Sequence, residues 1–350
     1  MNNQIETAKK QSGFKGFIKK YINGAGLFPT VLALILMVIV QCVVIGINEG
    51  SVAGIFSKIW LSWLNIFRNN AYTGIIALGM CFVIVSGGID LSVGSMMCAV
   101  GAALMYIIEP STGLLAAIGI TGIPAYIIGI AAALLIGFIF GEINGMLIAY
   151  GRIPPFIVTL GTMKIFRSVT QQLTKQFNPQ VPADFKQIAT LRAGGQVFLP
   201  IVYWVFFAVI MYFLFKKTAF GKETIAVGSN EKAARYSGIN VNAVKRRVYA
   251  ISGVMCAAAA IIYVARIGSM DFANAGSGFE MDAIAGVVVG GTAMSGGKGN
   301  IVGSFLGMLI ICCMNSILNM LGVPTFLCDA VRGAIIIVAV LVQRRDKVND

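Results

Sequence analysis

Residues 28–47, FPTVLALILMVIVQCVVIGI, form a run of twenty residues without a charged side chain. A helix of about 20 apolar residues is long enough to cross the roughly 30 Å hydrocarbon core of a bilayer. A basic segment precedes this run, which on its own would also fit a signal peptide. Because the run is longer than a signal-peptide core and lacks a small-x-small cleavage site, we expect it to be a retained first membrane helix.

The whole chain follows the same pattern. Of its 350 residues, 57% are hydrophobic and only 12% are charged, and the mean hydropathy is +0.84. A soluble domain contains about 25% charged residues, so we expect an all-α polytopic membrane protein. The apolar runs predict about ten transmembrane helices, at 28–47, 71–88, 91–108, 124–150, 154–173, 197–215, 248–266, 281–296, 300–320 and 324–342.

These runs divide the chain into three parts. We expect a basic N-terminal segment at 1–27, a single transmembrane domain at 28–343 and a short tail at 344–350. Residues 51–65 and 113–123 are apolar enough to be short interfacial or re-entrant helices, so eight to eleven crossings remain compatible with the sequence.

The net charge of +13 is placed as in a membrane protein and not as in a nucleic-acid-binding protein. With ten spans, 18 of the 27 Lys and Arg residues fall in the segments on the side of the termini, and five fall in the loops opposite. Cytoplasmic loops carry this excess of positive charge. Both termini are therefore predicted to be cytoplasmic, next to anionic lipid, and no nucleic-acid partner is expected.

The chain contains no histidine. This excludes histidine metal sites and the Ser-His and Cys-His pairs of hydrolases. The seven cysteines lie in or beside apolar runs without a C-x-x-C spacing, which is typical of packed thiols. We expect neither a metal site nor covalent catalysis by this chain.

Short matches between the two halves suggest a repeat. IDLSVGSMM (89–97) and MDAIAGVVV (281–289) share an Asp followed four residues later by Gly, and NGMLIAYGRIPPF (144–156) resembles NSILNMLGVPTF (315–326). The matches are five predicted spans apart, so the second half would be inverted in the membrane. An inverted 5+5 repeat is a common transporter plan, although chance similarity between glycine-rich helices also explains the matches.

The glycine-rich stretch VVVGGTAMSGGKGN (287–300) looks at first like a phosphate-binding loop. That loop requires Gly, four residues, and then Gly-Lys-Ser/Thr. Here Thr292 stands at the first Gly position and Gly299 at the hydroxyl position. The stretch therefore fails the motif at both ends, and we interpret its glycines as close packing or turns, with Lys298 at the cytoplasmic edge.

The longest predicted cytoplasmic loop, residues 216–247, has internal order. Ser229 or Asn230 can cap a short helix with Glu231 in its first turn, and Gly238 can end it. A capped helix outside the bilayer fits either a docking element for a cytosolic partner or a solvated basic loop beside anionic lipid.

Four segments carry a resemblance to a known family. AVGSNEKAARYSGINVNAVKRRVYAISG (226–253), ALGMCFVIVSGGIDLSVGS (77–95), NGMLIAYGRIPPFIVTLGTM (144–163) and EMDAIAGVVVGGTAMSGGKGNIVGS (280–304) resemble the permease subunits of ribose, galactose and xylose ABC importers. The matches follow the family's order and spacing.

The resemblance implies a function and partners. The permease would translocate a monosaccharide across the bacterial cytoplasmic (inner) membrane as a homodimer, together with an extracytoplasmic sugar-binding protein and a cytosolic ABC ATPase with tandem nucleotide-binding domains. ATP and magnesium would bind the ATPase and no cofactor would bind this chain. The loop would form the coupling helix, through Ser229, Asn230, Glu231, Ala233, Ala234, Arg235 and Gly238. The family's Glu-Ala-Ala is here Glu231-Lys232-Ala233-Ala234, which leaves open which alanine packs.

Polar residues within the apolar runs are candidates for the translocation pathway or its gate, because buried polar groups in a membrane are costly. They are Asp90, Ser92, Glu142, Asn144, Thr159, Thr162 and Asn315. For Asp90 the alternative is a turn or helix cap, and for the others it is hydrogen bonding between helices. Glu280 and Asp282 either cap the following span or contact the binding protein.

Two other classes of protein remain as alternatives. An ion- or proton-coupled secondary transporter would need a buried ionisable relay, for which Asp90 and Glu142 are the candidates. An intramembrane enzyme is disfavoured because the chain lacks histidine and both the G-x-S-x-G and G-x-G-D patterns.

Overall fold

A computed structural model of the protein describes residues 27–48, 52–175, 179, 181–193, 195–324, 327–335 and 337. Within these ranges the chain is mostly helical. It also has one small antiparallel hairpin, formed by the two-residue strands β1 (Arg192–Ala193) and β2 (Gln196–Val197). Residues 1–26 of the predicted N-terminal segment and the predicted tail at 344–350 lie outside the described residues.

Twelve helices are labelled in chain order, and residues 327–335 add a further helical stretch. The helices are α1 (Phe28–Asn48), α2 (Val52–Val85), α3 (Val93–Ile108), α4 (Ile123–Ala149), α5 (Pro155–Thr174), α6 (Ala183–Thr190), α7 (Leu199–Lys217), α8 (Ala219–Ser229), α9 (Glu231–Tyr236), α10 (Val241–Ile267), α11 (Phe279–Val289) and α12 (Ile301–Met320).

Six of the described helices are long and apolar enough to cross a membrane, namely α1, α2, α4, α7, α10 and α12. This confirms a polytopic helical membrane protein. The predicted spans 28–47, 124–150, 197–215 and 300–320 coincide with α1, α4, α7 and α12 to within two residues. The count of ten, the inverted repeat and the side of the termini stay predictions.

The region 51–88 differs from the expectation of a short interfacial helix followed by a separate span. Within this region Val52–Val85 is one continuous helix, α2, of 34 residues. The polar residues that interrupt its apolar pattern find partners within the helix: Arg68 donates to the amide oxygen of Asn65, and Asn70 donates to the backbone carbonyl of Ile66 at 2.8 Å. Polar side chains with such local partners leave the backbone hydrogen bonds of the helix intact.

Two other predicted spans are shorter than expected. The span at 91–108 is the 16-residue helix α3. The span at 281–296 is helical only over the 11 residues of α11, which at about 1.5 Å per residue are too short to cross the bilayer. Its glycines at 290 and 291 end the helix, and Gly291 has a φ of 88°. Of the re-entrant segment expected at 113–123, only a 3-10 turn at Ala116–Ile118 forms.

The bundle is arranged around α10. This helix packs against α4, α2 and α3. Over their most apolar windows α2 and α10 are 78% and 83% buried, whereas α1, α4 and α7 are each 22% buried. The second group therefore presents apolar surface on the outside of the bundle, as helices in contact with a membrane do.

Close backbone approach joins α4 to α10. Gly137, Gly141 and Gly145, spaced four residues apart, form one face of α4. A Cβ atom at Gly137 would lie 2.5 Å from the carbonyl oxygen of Gly253, and one at Gly141 would lie 2.3 Å from that of Tyr249. Small residues at this spacing allow membrane helices to pack backbone to backbone.

The short helices α3 and α11 meet at their first turns. Each follows a long helix and a non-helical segment, 86–92 before α3 and 268–278 before α11. A Cβ atom at Gly94 would lie 2.0 Å from the carbonyl oxygen of Gly276. The segment before α3 is buried at Asp90 and Ser92, where neighbouring helices supply hydrogen bonds, whereas the segment before α11 is exposed at Asp271 and Asn274.

Candidate functional site

The short helix α9 forms as its sequence predicts. The side-chain oxygen of Asn230 accepts a hydrogen bond of 3.0 Å from the backbone N–H of Ala233, so Asn230 is the N-cap. Gly238 ends the helix with a φ of 82°, and the N–H of Ile239 closes the turn on the carbonyl of Ala234 at 3.1 Å. Glycine adopts this left-handed conformation without steric cost.

Ion pairs fasten α9 to α10. The carboxylate of Glu231 lies 2.7 Å from the ammonium group of Lys245 and 3.4 Å from the guanidinium of Arg235. The hydrogen bond from Lys245 is the main cause that lowers the pKa of Glu231 below its ordinary value. The carboxylate is therefore ionised at neutral pH and holds the helix against the start of α10.

The two faces of α9 differ. Ala234 is buried against the protein, while Lys232, Ala233 and Tyr236 are exposed. Tyr236 is 90% exposed, which is unusual for a large aromatic side chain. Aromatic side chains displayed in this way are typical anchors of protein interfaces. The sequence analysis did not single out Tyr236, because only the fold shows which face of α9 points outward.

A backbone junction lies directly behind α9. The N–H of Gly297 donates to the carbonyl oxygen of Val85 at 2.9 Å, and the hydroxyl of Ser229 lies 3.5 Å from the carbonyl oxygen of Gly297. A Cβ atom at Gly228 would lie 1.8 Å from the carbonyl oxygen of Val85. The glycine-rich stretch thus connects the end of α2 to the residue that precedes the Asn230 cap. This confirms its interpretation as close packing and turns.

A cavity of about 550 Å³ opens beside α9. The turn between α4 and α5 forms one wall, and Glu231, Arg235 and Lys245 form the other. Arg152, in that turn, has a φ of 54°, a left-handed conformation that is uncommon for a residue with a side chain. The surface around α9 is consequently rich in arginine and lysine.

A buried polar network surrounds Asp90. This residue is completely buried, and its carboxylate accepts hydrogen bonds from the N–H and hydroxyl of Ser92, at 3.0 and 2.6 Å, and from the hydroxyl of Ser252 at 3.1 Å. The Asn144 amide donates to the hydroxyl of Ser92 at 2.9 Å. The network ties the 86–92 turn to α10 and α4.

The remaining pathway candidates lie apart from one another. Thr159 donates to Pro155 in its own helix at 2.9 Å and approaches Ile89 at 3.4 Å, which brings it to the edge of the Asp90 network. Thr162 donates to Val158 at 3.1 Å. Glu142 forms an ion pair of 3.3 Å with Arg246. Ser252 and Tyr249, which complete the Asp90 network, carried no sequence signal.

Asn315 and Asp282 share one partner, Arg332. The Nε of Arg332 lies 3.2 Å from Asp282 and 3.2 Å from the amide oxygen of Asn315. Neither Glu280 nor Asp282 caps α11, whose N-cap is Gly278, so the capping expectation is wrong. Both acidic side chains are partly buried. Their contact with a binding protein stays a prediction.

The chain is similar in sequence to permease subunits of known transporters. The family described as "Branched-chain amino acid transport system / permease component" matches residues 62–340. A ribose import permease of Bacillus subtilis is 38% identical, over 98% of this chain and 98% of the relative. A xylose transport system permease of Haemophilus influenzae is 32% identical, over 81% and 88% of the two chains.

A D-allose transport system permease of Escherichia coli is 34% identical, over 80% of this chain and 82% of the relative. No solved structure matches the chain. The family match and the identities extend over the bundle, the glycine-rich junction and α9 together. The chain therefore belongs to the family of ABC importer permeases that includes the ribose, xylose and allose permeases.

Proposed function

We propose that this chain is the translocation subunit of a binding-protein-dependent ABC importer for a monosaccharide, a pentose or hexose such as ribose or galactose. The energy would come from ATP hydrolysis on a separate cytosolic ATPase with tandem nucleotide-binding domains. The chain would act as a homodimer in the bacterial cytoplasmic membrane and would receive its sugar from an extracytoplasmic binding protein. It would itself bind neither ATP nor magnesium and would carry out no covalent chemistry.

The observation that carries the proposal is the position of α9. Its exposed face offers Tyr236 between the charged side chains of Lys232 and Arg235, while its buried side leads through Ser229 to the Gly297–Val85 junction. A push or pull on α9 would therefore reach the end of α2, the central helices and the turn that holds Asp90. A partner ATPase needs such a rigid contact to change the conformation of the translocation pathway.

The experiment is ATP-dependent sugar uptake by proteoliposomes that contain the permease, its ATPase and its binding protein. We expect wild type to accumulate labelled D-ribose, D-xylose, D-allose or D-galactose only with ATP. Tyr236→Ala and the double variant Glu231→Lys/Gly238→Trp should lose uptake, whereas Leu114→Ala, which alters an exposed apolar residue at the opposite end of the bundle, should keep it.

Uptake by wild type without the ATPase would contradict the proposal. So would full activity of the α9 variants in complexes that assemble normally. The thermal unfolding midpoint of each solubilised variant, measured beside its binding of the ATPase, separates loss of docking from loss of folding.

The alternative is an ion- or proton-coupled secondary transporter. Asp90 is the buried carboxylate that such a mechanism would use. Its hydrogen bonds come from Ser92 and Ser252, as in a turn held in place by neighbouring hydroxyl groups. Sugar uptake that persists without ATP and collapses with a protonophore would favour this alternative.

A further inference from the structure

A second cleft lies between α2 and α12, at the end of the bundle away from α9. It has a volume of about 400 Å³, and Ile66, Cys312 and Met320 form its apolar wall. Its polar wall consists of amide and hydroxyl side chains, Asn65, Asn69, Asn70, Asn315, Ser316 and Asn319. Small-molecule sites have volumes of about 300–1,000 Å³ and combine apolar walls with a few placed polar groups. The cleft has this size and composition.

The amide side chains of the cleft argue that hydrocarbon does not cover it. Counted from the start of α12, Asn315 and Asn319 lie roughly 20 to 27 Å along the helix axis, at about 1.5 Å per residue. That is within the apolar length of this helix. Exposed amides such as those of Asn65 and Asn69 would lose their hydrogen bonds in lipid. The cleft therefore faces water or another protein chain.

Three arginines orient the amides of the cleft. Arg68 donates to the side-chain oxygen of Asn65 and Arg266 to that of Asn69. Arg332 donates to the side-chain oxygen of Asn315 at 3.2 Å. An amide has its oxygen and its NH2 group on opposite sides. Once the arginine engages the oxygen, the NH2 donors are left for a further partner.

We propose that this cleft binds the hydroxyl groups of a neutral monosaccharide on its way through the membrane. The inference rests on the proposed function and adds to it a substrate-contacting site. The NH2 groups of Asn65 and Asn69 donate to hydroxyl oxygens of the sugar, and the oxygen of Asn70, whose NH2 bonds Ile66, accepts from a hydroxyl. The apolar wall covers the C–H face of the ring. Asn315 is the one residue of this site that the sequence analysis had named for the pathway.

The test uses the reconstituted complex of permease, ATPase and binding protein, with labelled D-ribose, D-xylose, D-allose and D-galactose as probes. In Asn65→Leu/Asn69→Leu, leucine keeps the branched shape of asparagine and removes its hydrogen bonds. Loss of two such bonds should reduce uptake of the transported sugar by about tenfold or more. Gln172→Leu, at an exposed amide on α5, is the matched control and should transport like wild type.

A second variant reports on the cleft without requiring loss of activity. In Asn319→Cys, a membrane-impermeant thiol reagent should label the introduced thiol above the wild-type background. The transported sugar at millimolar concentration should slow this labelling, and a non-transported sugar from the same panel should not.

The outcomes separate the site from the proposed function. If wild type takes up no sugar with ATP, the proposed function fails and the sugar site fails with it. If wild type transports but Asn65→Leu/Asn69→Leu is equally active, or thiol labelling of Asn319→Cys ignores the sugar, only the site is overturned. If the leucine variant loses uptake together with its dimeric mass, the cleft is a contact between two copies of the chain and the sugar site is likewise overturned.

Discussion

The backbone N–H of Gly297 donates a hydrogen bond of 2.9 Å to the carbonyl oxygen of Val85. This bond joins the glycine-rich stretch before α12 to the end of α2, and Gly228 packs against both partners. Three segments that are distant in sequence thus meet immediately behind α9. The contact leaves no room for a side chain at Gly228.

A methyl group at Gly228 should therefore weaken the junction. In Gly228→Ala the Cβ atom would lie 1.8 Å from the Val85 oxygen and 2.7 Å from the Gly297 nitrogen. Overpacking of this kind costs about 1–3 kcal/mol. We expect a lower thermal unfolding midpoint in lipid nanodiscs and reduced ATP-dependent uptake. Gly161→Ala, where the new Cβ has nothing within 4 Å, should behave like wild type, and equal midpoints for both variants would contradict the prediction.

The crossing of α4 and α10 should be equally intolerant of side chains. In Gly253→Ala the Cβ atom would lie 2.1 Å from the carbonyl oxygen of Gly137. Because the atoms that this Cβ would meet belong to the backbone of Gly137 and Gly141, the clash is relieved only if the two helices separate. We expect destabilisation by about 1–3 kcal/mol or loss of folded protein. Thermal unfolding of Gly253→Ala and of Gly46→Ala, whose surroundings are open, provides the comparison. A midpoint for Gly253→Ala as high as that of Gly46→Ala would show that the helices do not cross here.

Substitution of Asp90 should separate a structural role from a proton relay. Asp90→Leu leaves the hydroxyls of Ser92 and Ser252 without their acceptor and should prevent accumulation of folded protein, since each buried polar group left unsatisfied costs about 1–3 kcal/mol. Asp90→Asn keeps the size and one acceptor oxygen. We expect it to fold with a lowered unfolding midpoint and to retain uptake driven by ATP. Complete loss of uptake in folded Asp90→Asn would instead favour a role in proton transfer.

The ion pair at Glu231 sets the pH range in which α9 stays attached. Because the folded-state pKa of Glu231 is lowered, the pair contributes stability above the unfolded value of about 4.3 and loses it as pH falls through the folded pKa. Hydrogen exchange of the α9 amides, corrected for intrinsic rates, should therefore show constant protection from pH 7 to about pH 5. Glu231→Gln should already be less protected at pH 7, and Glu223→Gln in α8 should not. Since the Glu231 side chain is 46% exposed, we expect an effect of about 0.5 kcal/mol.

The cap of α9 should contribute more than its ion pair. Asn230→Ala removes the acceptor for the Ala233 N–H, and loss of an N-cap costs about 1 kcal/mol. We expect faster amide exchange in α9 and weaker binding of the ATPase. Asn242→Ala, at a partly exposed position of α10 that caps no helix, is the control. Unchanged exchange in Asn230→Ala would mean that contacts with α10 alone maintain the helix.

Much of the bundle could be predicted from the sequence. The apolar runs gave the bounds of α1, α4, α7 and α12, because the length of such a run and the thickness of the bilayer are directly related. The cap at Asn230 and the stop at Gly238 follow from local hydrogen bonding and backbone conformation, which neighbouring residues decide. Family membership was also accessible, since it depends on the order and spacing of motifs.

The predicted bounds were wrong in α2 and in α11. We expected a short helix at 51–65 and a separate span from residue 71, but α2 continues through the polar residues between them, where Arg68 pairs with Asn65. Conversely, the apolar run at 281–296 suggested a span, but its glycines, with a left-handed backbone angle at Gly291, end α11 early. The partners that decide such cases lie one turn away or in another helix.

Length, hydropathy and local capping are properties of a segment, and for this protein they were sufficient to predict a helical membrane protein with a capped helix outside its spans. The partners of each polar side chain are properties of the packed bundle. Only the tertiary structure joined Gly297 to Val85, placed Asp90 against Ser252 and gathered the asparagines of α2 and α12 into one cleft. The physical reason is that hydrogen bonds and backbone contacts depend on distances of a few ångströms between helices, which the spacing of residues along one chain does not specify.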